Sequence, residues 1–264
     1  MENMKLQVKN LQKVYPANSR KEKDVVALKD INLEVKESEF VVLVGPSGCG
    51  KSSLINIIGG LEDATEGNVF IDGKDVAEPG ADRGMVFQGY SLFPWLTVQK
   101  NVEFGLKMKK IPKAEREKAA KEFIELVGLA GFENALPKQL SGGMKQRVAI
   151  ARTLANHPEV LLMDEPFGAL DAQTRVVMQE LLAKISRETK NTILFITHDI
   201  DEAILLADRI YVMSRRPGTI KEVLDVSIEG ERNHEILIRP EFLEMKHRIM
   251  EMLWQESQDA AMGK

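Results

Sequence analysis

The chain has 264 residues, 44% of them apolar and 29% charged, with a formal net charge of -4. That supplies apolar material for one large domain, or one domain carrying an insertion, and a pI near 5.8 excludes the basic footprint of a nucleic-acid binder. The single cysteine, Cys49, excludes an intramolecular disulfide, and no apolar run approaches the ~20 residues a membrane helix needs. The first residues, MENMKLQVKN, lack the apolar stretch of a secretory signal, so none is expected.

Along the chain, Leu6 and Val8, then Ile31, Leu33 and Val35, alternate as strands do, with a polar loop predicted at Asn18–Asp24. Three continuous apolar runs follow, at 41–44, 160–163 and 193–196. Runs of that kind suit strands buried on both faces of a parallel sheet. Helices are predicted between them. One runs from Gly50 to Ile58 and stops at Gly59-Gly60. A second, 113–127, carries Ala119, Phe123, Leu126 and Val127, and a third follows at 142–156. A fourth, 171–189, is expected to bury Val177, Leu181 and Ile185, with Met178 and Leu182 beside them. The basic run Lys107–Lys113 reads as a solvated face. Residues 240–256 place Phe242, Met245, Ile249 and Leu253 at helical spacing. Residues 89–156 are thus expected to form a helical subdomain inserted into an α/β core, with 221–264 as a short C-terminal extension.

Chemistry enters at Gly45-Pro46-Ser47-Gly48-Cys49-Gly50-Lys51-Ser52, which fits G-x-x-x-x-G-K-[ST] with an apolar strand before it and a helix after it. Glycines let the backbone N–H groups converge on phosphate oxygens, and the helix N-terminus adds partial positive charge. Lys51 is expected on the β- and γ-phosphates and Ser52 on Mg²⁺, with Ser53 counted among the nucleotide contacts. Asp164 and Glu165 close the run Val160–Met163, at the carboxyl end of a buried strand, where open α/β sheets bind ligands. On their own, two acids there would read as a helix cap; beside a phosphate loop they read as a Mg²⁺ ligand and a general base. His198, after Ile193–Thr197, is placed to hydrogen-bond a γ-phosphate as a neutral imidazole. Gln88, after Met85-Val86-Phe87, offers an amide to Mg²⁺ and the attacking water. These residues describe a P-loop nucleoside triphosphatase.

The segment Leu140-Ser141-Gly142-Gly143-Met144-Lys145-Gln146-Arg147 opens a helix and resembles the signature of the ATP-binding-cassette (ABC) family, usually written LSGGQ. Ser141 can cap that helix, and Gly142 and Gly143 allow close backbone approach to an anion. Met144 departs from the commonest pattern and removes one side-chain hydrogen bond. Gly168-Ala169-Leu170-Asp171 resembles the family's D-loop, and Tyr15 stands at the place of its adenine-stacking aromatic. The likeness runs from about residue 5 to 220. It implies an α/β fold: a P-loop core with a mostly parallel sheet, an N-terminal antiparallel β subdomain and the helical insertion. It implies ATP hydrolysis with Mg²⁺, and a head-to-tail dimer, of this chain or with a paired ATPase. In such a dimer Ser141, Gly142 and Gly143 of one copy cap the γ-phosphate held by Lys51 of the other, and Asp171 is counted among the nucleotide contacts.

Two segments resemble the importer ATPases for nitrate, sulfonates, taurine and bicarbonate: Ser91–Val98, with Phe93 and Trp95, and Ser214–Gly218. An exposed aromatic patch beside Gln88 suits docking of a membrane subunit, and packing of Trp95 inside the helical block is the alternative. The implied setting is the cytoplasmic face of a membrane, on permease subunits served by an extracytoplasmic solute-binding protein, with no nucleic-acid partner. An exporter or lipoprotein-release ATPase differs mainly after Gln88. A non-transport ABC ATPase usually carries two cassettes or long coiled-coil insertions. A scaffold without activity is disfavoured by Lys51, Asp164, Glu165 and His198. Because Cys49 lies within the phosphate loop, alkylation is expected to block activity and ATP to protect.

Overall fold

A computed structural model describes residues 4–17, 23–228 and 230–261. Strands β1 (Met4–Tyr15) and β2 (Val25–Lys36) pair antiparallel, with most of the expected loop at 18–24 outside the described residues. β3 (Phe40–Val44) leads into helix α1 (Lys51–Ile58). β4 (Glu66–Ile71) and β5 (Lys74–Asp75) complete a four-stranded antiparallel sheet of order β2-β1-β4-β5. After β6 (Arg83–Val86) come helices α2 (Val98–Met108), α3 (Lys113–Leu126) and α4 (Gly142–Leu154). β7 (Val160–Asp164), α5 (Ala172–Thr189), β8 (Thr192–Thr197), α6 (Ile200–Leu206) and β9 (Arg209–Met213) alternate strand and helix. β10 (Ile220–Asp225) and α7 (Pro240–Ala261) follow. The second sheet has the order β10-β9-β3-β8-β7-β6, parallel except at its β10 edge.

The apolar runs become the centre of that sheet because they have apolar layers on both sides. Phe40, Val42 and Val44 face one cluster with Leu161, Met163, Ile193 and Phe195. Val41 and Leu43 face the other with Val160, Leu162, Leu194 and Ile196. Each such side chain contributes about 1.5–3 kcal/mol when fully buried. The second layer is closed by β1 and β2, through Leu6, Val8, Ile31 and Leu33, so α1 is clamped between the two sheets by Leu54, Ile55 and Ile58. The first layer is closed by the helices. Phe242 and Ile249 bring α7 into it, so the C-terminal segment shares the main core.

α5 presents a different face from the one expected. Met178, Leu182 and Ile185 are buried and Leu181 is half-buried, but Val177 is 49% exposed. At 3.6 residues per turn, Met178 to Ile185 spans two turns, which rotates Val177 off the stripe. α3 places Ala120 and Ile124 inward, as does its C-cap Val127, with Ala119, Phe123 and Leu126 at the margin. Lys107, Lys109, Lys110 and Lys113 are exposed.

Candidate functional site

The phosphate loop is mounted from behind. Gly50 has φ 108°, and a methyl there would meet Leu28 Cδ2 at 2.6 Å. Only glycine tolerates both the left-handed backbone and that contact. No side chain caps the first turn of α1, so its N–H groups remain directed at whatever occupies the loop. Lys51 is only 6% exposed, and its Nζ donates to the carbonyls of Gly45 (2.8 Å) and Pro46 (3.2 Å), laying the side chain across the loop. Ser47 and Gly48 form the exposed crest.

Cys49 belongs to the inner wall. Its side chain is 1% exposed, packed in the layer between the sheets, and burial pushes the thiol pKa up. Both effects slow alkylation, so the expected sensitivity of the site to thiol reagents does not follow from this arrangement. The backbone N–H of Cys49 bonds the Pro46 carbonyl at 3.3 Å.

Four neighbouring strands, β3, β8, β7 and β6, deliver the remaining groups beyond their carboxyl ends. Ser52 Oγ, on α1 beyond β3, donates to Asp164 Oδ1 at 3.4 Å. Asp164 ends β7, and burial raises its carboxyl pKa. Glu165 follows with φ 44°, its N–H bound to Ile196 O at 3.0 Å. A non-glycine residue held at positive φ is an uncommon, strained placement, here fixed by the sheet. His198, just past β8, sets Nδ1 3.0 Å from Glu165 Oε2. An ionised carboxylate only accepts, so Nδ1 carries the hydrogen in this contact. A neutral ring then has only an acceptor at Nε2, and the imidazolium alone donates from both nitrogens. Gln88 stands exposed two residues past β6, and its amide nitrogen would lie 3.3 Å from a methyl on Gly168.

Tyr15 ends β1 with its ring 36% exposed. Its Oη shares a 2.8 Å hydrogen bond with Ser53 Oγ, and Lys13 Nζ sits 5.0 Å above the ring. Ser141 caps α4, accepting from Met144 N–H at 3.3 Å. Gly142 lies against Tyr90, Gly143 against Thr174, and Met144 packs on the core. Asp171 caps α5, taking Thr174 N–H (3.0 Å) and Oγ1–H (2.7 Å), and these bonds lower its carboxyl pKa. The structure thus gathers Lys51, Ser52, Asp164, Glu165 and His198 past the carboxyl ends of the adjacent strands β3, β8 and β7. Gly142 has Tyr90 and Leu170 beside it, and Gly143 has Thr174.

The turn 214–219 has a structural part that its sequence did not disclose. Gly218 N–H bonds Ala27 O at 2.9 Å, and its carbonyl accepts from Lys29 N–H at 2.9 Å. A methyl at Gly218 would overlap the Cys49 carbonyl. Ser214 Oγ ties the turn by accepting from Thr219 N–H at 2.9 Å. This is the rear support of the phosphate loop. A glycine after Arg-Arg-Pro signals a turn, but not what the turn leans on.

The loop 93–97 is held by a buried asparagine. Asn101 Oδ1 accepts from Phe93 N–H at 2.9 Å, and its Nδ2 donates to the carbonyls of Phe93, Leu96 and Thr97 at 3.0–3.2 Å. Phe93 stacks on Phe104 at 4.3 Å, and Trp95 is left 73% exposed beside a cleft of about 510 Å³ that includes Phe104, Glu103 and Arg116. Packing of Trp95 inside the helical block is thereby ruled out. No helix among the described residues is long and apolar enough to cross a membrane.

A family model described as ABC transporter matches residues 28–168. An uncharacterized ABC transporter ATP-binding protein of Methanocaldococcus jannaschii is 55% identical, over 96% of this chain and 92% of that protein. The nitrate import ATP-binding protein of a Synechocystis strain is 50% identical, over 95% of each. The taurine import ATP-binding protein of Pelagibacter ubique is 47% identical, over 91% and 92%. Among solved structures, a dimeric ATP-binding cassette in a post-hydrolysis state bound to ADP and Pi superposes with a TM-score of 0.73 at 39% identity. That alignment covers 85% of this chain and all of the other.

Proposed function

The chain belongs to the ABC transporter family as the ATP-binding, ATP-hydrolysing subunit of an importer, and on that premise we propose how its residues divide the work. The observation that carries the assignment is the convergence of Lys51, Ser52, Asp164, Glu165 and His198 at the ends of adjacent strands.

The loop Gly45–Ser52 binds the triphosphate through backbone N–H groups, and Lys51 leaves its two carbonyls to pair with the β- and γ-phosphates. Tyr15 stacks on the adenine and Ser53 lies beneath it. Glu165 takes the proton of the attacking water as its oxygen bonds to the γ-phosphorus and the bond to the bridging oxygen breaks. His198 fixes the Glu165 carboxylate, and Gln88 holds the water. The donor set fits Mg²⁺: Ser52 hydroxyl and Asp164 carboxylate oxygens already adjoin, and hard oxygens are what this ion takes. When bound, it would neutralise charge developing on the phosphate oxygens. Gln88 would be a further ligand.

Ser141, Gly142, Gly143 and Asp171 act on the site of a second ATPase subunit, head to tail, so that two ATP molecules hold the pair together. Trp95 and the cleft beside it receive a permease subunit at the cytoplasmic membrane face. The helical block 89–156 moves as the unit that carries this contact. The cargo is a small solute such as nitrate, a sulfonate, taurine or bicarbonate, handed over by an extracytoplasmic binding protein. Affinity purification from native membranes tests the setting. Co-recovery of a polytopic membrane protein and a solute receptor is expected; recovery of soluble factors alone would remove the transport assignment. Glu165→Gln tests the chemistry: ATP binding should persist and turnover should nearly cease.

A further inference from the structure

One side chain joins the turn before α5 to the turn after β8, and the nucleotide chemistry above does not use it. Arg175 Nη2 donates to the Leu170 carbonyl at 3.1 Å, and Nη1 lies 3.5 Å from Asp199 Oδ2. Its Nε is buried without a partner. Asp199 is itself immobilised: Oδ1 accepts from the N–H groups of Asp201 (3.0 Å) and Glu202 (3.2 Å), and its own N–H bonds Thr197 Oγ1 at 3.0 Å. His198 lies between Thr197 and Asp199, with Nδ1 on Glu165. Between the two turns is a cavity of about 10 Å³ lined by Glu165, Gly168, Arg175, His198 and Asp199. That is at most room for a single water, so a shift of one wall is not absorbed by solvent. The guanidinium fork is rigid and planar, and here it spans a carbonyl on one turn and a carboxylate on the other.

We propose that Arg175 is a positioning residue that locks the Gly168–Asp171 turn to the Thr197–Asp199 turn, so that a displacement of the first moves His198 and with it the Glu165 carboxylate. This rests on the assignment of Glu165 as the base.

The test uses the full chain, steady-state ATPase kinetics and equilibrium nucleotide binding. Arg175→Ala should lower kcat about 10- to 100-fold, the usual penalty for slight misplacement of a reacting group, while ATP affinity stays within about twofold. Asp199→Asn keeps the oxygen that caps α6 and removes only the ion pair, so it should lower kcat in the same way. The double variant should fall no further than Arg175→Ala. Arg175→Lys restores the charge but not the fork, and kcat should recover in part. Unchanged kcat, a matching loss of nucleotide affinity, or a fully additive double variant overturns the proposal; if Arg175→Ala does not fold, Asp199→Asn decides. Glu165→Gln is measured alongside. Turnover surviving in that variant would remove the base assignment itself, whereas an inactive Glu165→Gln with a fully active Arg175→Ala removes only the role of Arg175.

Discussion

The phenol of Tyr15 and the hydroxyl of Ser53 share a 2.8 Å hydrogen bond, which ties the end of an antiparallel strand to the first turn of the helix behind the phosphate loop. The ring therefore does not hang free; it is set at a fixed height beside the loop. Tyr15→Ala should weaken ATP binding by about 1–3 kcal/mol, the usual worth of base–aromatic stacking. Tyr15→Phe keeps the stacking face and loses one exposed hydrogen bond, so its cost should stay near ~1 kcal/mol or below. Titration with a fluorescent ATP analogue separates the two. Equal affinity in Tyr15→Ala and the parent would refute the adenine contact.

Cys49 should behave as a core thiol. In the native chain a colourimetric thiol reagent should react slowly and with little effect of ATP, and rapid labelling should require denaturant. Its burial and its raised pKa act in the same direction, since the thiolate is the reactive form. Fast labelling that ATP suppresses would mean that the loop opens widely enough to turn this side chain outward.

The support behind the loop gives a remote route to the phosphate site. Gly218→Ala adds a methyl where the Cys49 carbonyl stands, so either the turn or the loop must shift. Overpacking of this kind costs about 1–3 kcal/mol of stability. ATP affinity should fall as well, although residue 218 lies outside the motif. A variant that is less stable yet binds ATP normally would show that the turn, and not the loop, gives way.

Glu202 is a buried carboxyl whose pKa is raised chiefly by desolvation, against hydrogen bonds from Thr197 and Gln179 that pull it down. The folded chain then holds this proton more tightly than the unfolded chain. Stability is favoured by this group below the ordinary carboxylate range and is lost as pH rises through the raised folded value. Glu202→Gln is neutral at every pH and retains an oxygen for Gln179. It should therefore melt about 2–4 °C above the parent at pH 8, for a gain near ~1 kcal/mol, with the gap closing toward pH 4.5. A lower melting point at pH 8 would mean that Arg175 and the hydrogen bonds more than offset the burial cost.

Much of this was legible in the residues because the chemistry is local. The phosphate loop, the acidic pair after an apolar run and His198 after another each occupy one short stretch, and strands buried on both faces need no partner to be recognised. What escaped depends on distant parts of the chain. The stripe of α5 turned on which neighbours cover it, and periodicity admitted both Val177 and Met178. Cys49 reads as part of a phosphate contact until the second sheet is seen behind it. Arg175 and Gly218 carry no signature, because a cation in a helix and a glycine in a turn are ordinary. Only the meeting of Leu170 with Asp199, and of Cys49 with Ala27, gives them meaning.

The double-sided burial of β3 and β8 has a cost in ambiguity. Where one face of a strand meets water, slipping by one residue would expose the apolar set, and the slip is rejected. Phe-Val-Val-Leu-Val and Thr-Ile-Leu-Phe-Ile-Thr are apolar on both faces, so the oily layers scarcely distinguish one alignment from the next. Discrimination falls to the polar ends: Asp208 Oδ2 on Phe40 N–H, Glu39 O on Ile193 N–H and Ile196 O on Glu165 N–H. Those few bonds act as the proofreader of the sheet. A chain that closed it one residue out of step would interchange the side chains of the two apolar layers and carry Lys51, Glu165 and His198 out of alignment.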